Sequence, residues 1–201
     1  MSEPTTYRTV ARRGEGAFSD RGSRFVGVAV EVVDEDAVRR ALETVRAAHP
    51  KASHHCVGWR LGTDGSRWRA TDDGEPSGTA GRPILGRIDA RGLTDVLVVV
   101  VRYYGGQKLG ASGLIQAYRT AAEAALEDAG AVERPVMRML RSTCDFDRYN
   151  DWMHGLMQLG VAVRGEHFDT RCHLEIAHPL AVQDAVHRLA ARLDVDLDAA
   201  T

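Results

Sequence analysis

Between Arg102 and Arg119 the chain reads RYYGGQKLGASGLIQAYR, which sets cations, glycines and a hydroxyl at spacings suited to holding an anion. Gly105, Gly106 and Gly110 let a ligand reach the backbone, and Lys108 adds a full positive charge within the same loop. Ser112 stands where small and apolar residues begin to recur at Leu114, Tyr118, Ala121 and Ala125, the spacing of a helical face. The free N–H groups and positive dipole end of such a helix start attract phosphate or carboxylate. Arg102 ahead of the loop and Arg119 beyond it extend the cationic set. The phosphate-loop template GxxxxGK[ST] is not met, because Ala111-Ser112 follow Gly110 where Lys-Ser or Lys-Thr should stand. The plainer alternative is that the glycines only turn the chain and Ser112 caps the helix.

Asp72, Asp73 and Glu75 crowd the earlier turn TDDGEP, and carboxylates so placed suit a hard cation or a partner contact. They serve equally to organise the turn, with Arg82 neutralising them and Ser77 or Thr79 capping the helix that follows. His54, His55 and Cys56 form another cluster. Alternation along a strand puts His54 and Cys56 on one face and His55 on the other, which favours packing over a metal site. Cys56, Cys144 and Cys172 are odd in number, far apart and without a CxxC, the pattern of reduced thiols. No metal and no cofactor is expected. Ser112, His54 and Asp72 can be nominated as a nucleophilic triad, but nothing in the sequence ties them together. Gly110-Ala111-Ser112-Gly113 also lacks the second spacer of a GxSxG elbow, so no catalytic residue is assigned.

These groups need a scaffold. Val96 to Val101 is a continuous β-branched run, which predicts a strand buried on both faces at the centre of a sheet. Residues 24–33 predict a second central strand, and residues 7–13 an edge strand. Asp34-Glu35-Asp36 opens an amphipathic helix with its stripe at Val38, Leu42 and Val45, stopped at His49-Pro50. A hairpin turned at Thr63 to Ser66 leads to the acidic turn and to a helix through Ile84, Leu85 and Ile88. The alanine-rich helix after the glycine loop ends near Gly130, and Pro135 marks a boundary between domains at 1–134 and 135–201. Beyond it the order is strand, helix, strand, strand, helix, with a last strand at 195–197. That order predicts a ferredoxin-like domain and, with the first part, an α+β chain. Pro179 is expected in the first turn of the last helix, and the flanks 1–6 and 198–201 are expected to fray.

The stretches TDDGEPSGTAGRPIL and VVVRYYGGQKLGASGL, the following AYRTAA, and the earlier SRF at Ser23 to Phe25 and HHC at His54 to Cys56 resemble the motifs of the Impact (imprinted ancient) family. The resemblance covers residues 7 to 131 and extends to bacterial members that carry a smaller second domain. It implies a βαβ first domain similar to the second domain of a small-ribosomal-subunit protein. It also implies a second domain similar to the last domain of elongation factor G. Eukaryotic relatives regulate translation by binding a partner of a stress-activated initiation-factor kinase, and bacterial members lack an established activity. Gln116 stands where the family pattern has a basic residue, which leaves Arg119 as its substitute.

Composition sets outer bounds. The 201 residues hold 26 Lys+Arg against 28 Asp+Glu, a formal net charge of −2, so any nucleic-acid surface must be a local patch. With 44% hydrophobic and 27% charged residues, and no apolar run of membrane-spanning length, the chain reads as a cytoplasmic globular protein without a secretory signal. The first reading is a binding or regulatory protein linked to translation, through RNA, the ribosome or a translation-associated partner. The alternative is a phosphate-handling enzyme acting on a nucleotide or a phosphorylated small molecule, by analogy with kinases that share the first-domain fold.

Overall fold

The β-branched run becomes the middle strand of a five-stranded antiparallel sheet. A computed structural model describes residues 4–199. It divides into two compact units, residues 7–134 and residues 135–199 with 4–6, and mixes helices and sheets in an α+β arrangement. In the first unit the strands are β1 (Thr6–Val10), β2 (Gly14–Asp20), β3 (Ser23–Glu31), β4 (His54–Leu61), β5 (Arg67–Thr71), β6 (Val96–Tyr103) and β7 (Ala131–Pro135). Its helices are α1 (Glu35–Ala48), α2 (Gly81–Ala90) and α3 (Gly110–Ala129). The main sheet has the order β2-β3-β6-β4-β5, and β1 pairs with β7 in a separate ribbon. Both β3 and β4 are antiparallel to β6, so β3-α1-β4 is a βαβ unit split by the strand between its two members.

Two cores explain why β6 is buried on both faces although its sheet is antiparallel. On one face α2 and α3 pack over Cys56, Val96, Val98 and Val100, with Ile84, Leu114, Tyr118 and Leu126 filling the layer. On the other, α1 supplies Val38 and Val45 against Val57, Trp59, Leu97, Val99 and Val101. The Asp34 side chain caps α1, accepting the Ala37 N–H at 2.6 Å, and acids fill the first turn as its sequence predicts.

Strand β2 is absent from the sequence expectations. Its residues GEGAFSD lack a β-branched run because α3 lies almost directly on them: a Cβ on Gly16 would sit 2.5 Å from the Ala125 nitrogen. Strand β7 is likewise not among those expectations, which end the helix near Gly130 and place a domain boundary at Pro135; Arg134 and Pro135 belong to a strand. Val136 then donates its N–H to the Thr5 carbonyl at 2.8 Å.

The second unit contains β8 (Met137–Cys144), α4 (Phe146–Gln158), β9 (Ala162–Phe168), β10 (Cys172–Pro179), α5 (Gln183–Leu193) and β11 (Asp196–Ala199). Its antiparallel sheet has the order β11-β8-β10-β9, which is the ferredoxin-like pattern of a split βαββαβ chain. Trp152, Leu156, Val186 and Leu189 from the helices pack on Cys144, Leu174 and Ile176. Pro179 ends β10, and a single 3₁₀ turn at Leu180–Val182 precedes α5. Of the flanks expected to fray, Thr6 begins β1 and Asp198-Ala199 end β11; residues 1–3 and 200–201 lie outside the described residues. No helix among the described residues is long and apolar enough to cross a membrane.

Candidate anion-binding cleft

The acidic turn divides its work among three carboxylates. Asp72 accepts N–H groups from Gly78 at 2.8 Å, Ala80 at 3.0 Å and Gly81 at 2.8 Å, so it caps α2 from a distance in sequence. Neither Ser77 nor Thr79 has that role; the Thr79 hydroxyl donates to the Pro76 carbonyl at 2.6 Å. Burial opposes ionisation of Asp72, but the three backbone donors prevail and hold its pKa below the ordinary carboxylate value. Asp73 takes a left-handed conformation (φ +46°) and accepts the His55 backbone N–H at 2.7 Å. Glu75 points inward, where one oxygen accepts from Arg102 at 2.7 Å and from the Tyr118 hydroxyl at 2.7 Å. Arg82 is elsewhere, with its guanidinium 4.7 Å from the centre of the Trp68 ring; the cation that meets Glu75 is Arg102.

Arg102 is only 5% exposed. Besides Glu75 it reaches the Ser23 hydroxyl at 3.4 Å and lies over the rings of Phe25 and Tyr104. Isolating either charge at such depth is expensive, so each holds the other in place, although the Arg102 Nε has no hydrogen-bond partner among the described residues. Tyr118, below it, has its pKa raised by burial, then by its contacts with Cys56 and Glu75. The Cys56 thiol, also raised by burial, is pushed up to about 12 and donates to the Asp72 carbonyl at 3.0 Å, which makes it a packing group rather than a nucleophile. Cys56, Cys144 and Cys172 are all free and buried.

The glycines of the loop have different reasons to be glycine. A Cβ on Gly105 would overlap the Gly22 backbone, and its N–H donates to the Ser23 hydroxyl at 3.1 Å, so this residue seals the loop onto the β2–β3 turn. Gly106 and Gly110 have φ of +86° and +73° with open space where a side chain would project. Helix α3 begins at Gly110, with Leu109 rather than Ser112 at its N-cap; Ser112 is an exposed residue of the first turn. That start carries no side-chain cap and no acidic residue in its first turn.

A cleft of about 530 Å³ brings the two stretches together. Its walls include His54, Glu75, Arg102, Tyr104, Lys108 and Gly110. His54 is oriented by its Nδ1, 2.8 Å from the Asp73 carbonyl; a carbonyl only accepts, so Nδ1 carries the proton and Nε2 is left 3.9 Å from Glu75. Lys108 is exposed and makes no ion pair among the described residues. Gly105, Gly106, Ser112 and Arg119 do not line the cleft, nor do Asp72 and Asp73. Tyr104 is not among the residues the sequence singles out, and His54 is expected there to pack in its strand or to stand as an unsupported triad candidate. The HHC and RYY groups are the local signals that mark them.

The family description Impact N-terminal domain matches residues 21–126, which contain every residue of the cleft wall. The chain belongs to the Impact family. The IMPACT family member YvyE of Bacillus subtilis is 38% identical over 141 residues, covering 70% of this chain and 65% of YvyE. The IMPACT family member YigZ of Escherichia coli is 45% identical over 98 residues, covering 48% of each. The chain thus spans between about half and two thirds of the length of these curated relatives. A crystal structure of a hypothetical protein is similar along 99% of both chains, with a TM-score of 0.80 and 29% identity. The Impact-type unit and the ferredoxin-like unit therefore occur together in a solved relative of this chain.

Proposed function

We propose that this Impact-family chain is a cytoplasmic binding protein linked to translation, which takes an anionic group at Lys108 and the start of α3. The group is a phosphate of RNA or of a small ligand. The observation that carries this reading is the pairing, in one cleft, of an ion-pair-free lysine with a helix start that has neither a side-chain cap nor an acidic first turn. Arg102 is spent on Glu75, so Lys108 is the cation left to meet a ligand. The link to translation, and RNA, the ribosome or a translation-associated protein as partner, rest on the family resemblance.

The test is titration of inorganic phosphate, nucleotides and short single-stranded RNA against wild type, Lys108→Ala and Gly110→Val, with thermal melts to confirm folding. Losing a charge-assisted contact of about 1.5 to 3 kcal/mol weakens binding roughly tenfold or more in Lys108→Ala. Gly110→Val does worse, by filling the open space beside the helix start. For RNA, the slope of log affinity against log salt falls by about 0.7 when one phosphate contact is lost. Equal affinities in all three proteins would return the loop to a purely structural role.

One observation favours a second reading, a phosphate-handling enzyme: His54, oriented through its Nδ1, brings its Nε2 into the same cleft as Lys108. Nucleotide turnover by pure protein, abolished by both Lys108→Ala and His54→Gln, would establish it.

A further inference from the structure

Helix α1 covers only part of its sheet face. Beside it runs a second groove of about 350 Å³ with an apolar floor that includes Val57 and Trp59 and a rim that includes Arg39, Arg46, Arg69 and Glu35. It shares no lining residue with the Lys108 cleft. The groove ends at β5, the outermost strand of the sheet, whose outer edge pairs with no strand among the described residues.

The register of β5 with β4 sets Arg67 opposite Leu61 and Arg69 opposite Trp59. Leu61 and Trp59 belong to the core on the α1 side, so both arginines flank the groove. Trp68, between them, turns to the other face, where it is 44% exposed beneath Arg82. Three of the arginines have acidic neighbours, exposed for Arg39 and Arg67 and half-buried for Arg46. Arg39 lies 2.9 Å from Asp36, Arg46 lies 3.7 Å from Asp73, and Arg67 lies 3.9 Å from Glu35. Pairs of this kind are weak and exchange readily for a better partner. Arg69 makes no hydrogen bond or ion pair among the described residues.

We propose that the β5 edge docks an extended acidic segment of a protein partner, which joins the sheet as a further strand. Asp or Glu at alternate positions of that segment meets Arg67, Arg69 and the arginines of the groove, and the apolar residue between them lies on Trp68. Strand addition draws affinity from main-chain hydrogen bonds and specificity from alternate side chains, and this edge offers both. The same arginines repel the like-charged β5 of a second copy, so the charge that guards the edge against self-pairing also selects an acidic guest. Single-stranded nucleic acid would meet the arginines but leave the strand's outer N–H and C=O groups unused.

Immobilised full-length protein is offered short peptides with Glu fixed at alternate positions and apolar residues varied between them, alongside a matched set with Lys fixed. The Glu set is retained and the Lys set is not. The tightest Glu peptide, followed by fluorescence anisotropy, loses about tenfold or more in affinity to the pair Arg67→Glu and Arg69→Glu. It loses as much when its alternate backbone amides are N-methylated, and nothing to Lys108→Ala, which separates this site from the anion cleft. Arg69→Ala removes no hydrogen bond or ion pair among the described residues and serves as the readout if the double reversal lowers the melting temperature. Equal retention of the two sets, or retention of neither, overturns the proposal. Undiminished binding of the N-methylated peptide overturns strand addition, and single-stranded RNA that binds this edge more tightly than any peptide makes it a nucleic-acid surface instead.

Discussion

Asp72 shows how one side chain carries an element it does not belong to. Its carboxylate replaces the side-chain cap that Ala80 cannot supply, because the turn through Gly74 and Gly78 folds it back over the first N–H groups of α2. Removing such a cap costs about 0.5 to 2 kcal/mol. The pH dependence has a definite sign. The folded-state pKa of Asp72 is lowered, so its stabilisation is complete above the unfolded value of about 3.9 and is lost as pH falls through the folded value. Urea denaturation followed from about pH 5 downward is expected to show a shallower loss of stability in Asp72→Asn than in wild type, because the amide keeps an acceptor oxygen but cannot titrate.

Among elements, the glycine loop and the seam beneath it answer to packing before ligand. Gly105 abuts the β2–β3 turn at Gly22, and Phe25 and Ser23 from β3 brace Arg102 at the end of β6. The loop therefore starts from a fixed point, enters open space at Gly106, and returns to the core at Leu109. Gly105→Ala is expected to cost about 3 kcal/mol or more, since backbone must move to admit the methyl group. Gly106→Ala, strained only by its positive φ, costs about 1 to 2 kcal/mol. Melting temperatures of the two variants test the ordering, and near-equal losses would mean that the turn at Gly22 yields.

For the whole molecule, the separation of the cores matters most. Both cores of the five-stranded sheet draw on residues 7–134 alone, whereas the core of the ferredoxin-like sheet draws on residues beyond 135. A fragment spanning residues 4–136, which keeps β1 and β7 whole, is expected to fold alone and to melt in one cooperative transition. Circular dichroism with thermal melting checks this. A fragment that stays unfolded would show that the second unit is needed to stabilise the first.

Local composition and periodicity by themselves determined much of the architecture. The β-branched run at Val96 to Val101 specifies a buried central strand, the stripe at Val38, Leu42 and Val45 specifies α1, and the strand–helix order after Pro135 specifies the ferredoxin-like sheet. Each is a property of neighbours along the chain, which is what a sequence pattern records. The motifs around Lys108 and the acidic turn were equally visible as residues worth attention. Only the tertiary structure decided their roles. It buried Arg102 against Glu75 and left Lys108 in solvent, gave Asp72 to the cap of α2, and put Ser112 and Arg119 outside the cleft. It also made β2 a strand by laying α3 on its glycines. These outcomes depend on which distant groups meet, through the register of β6 with β3 and β4 and the close approach of backbone to backbone. A pattern of residue types along the chain carries no term for either.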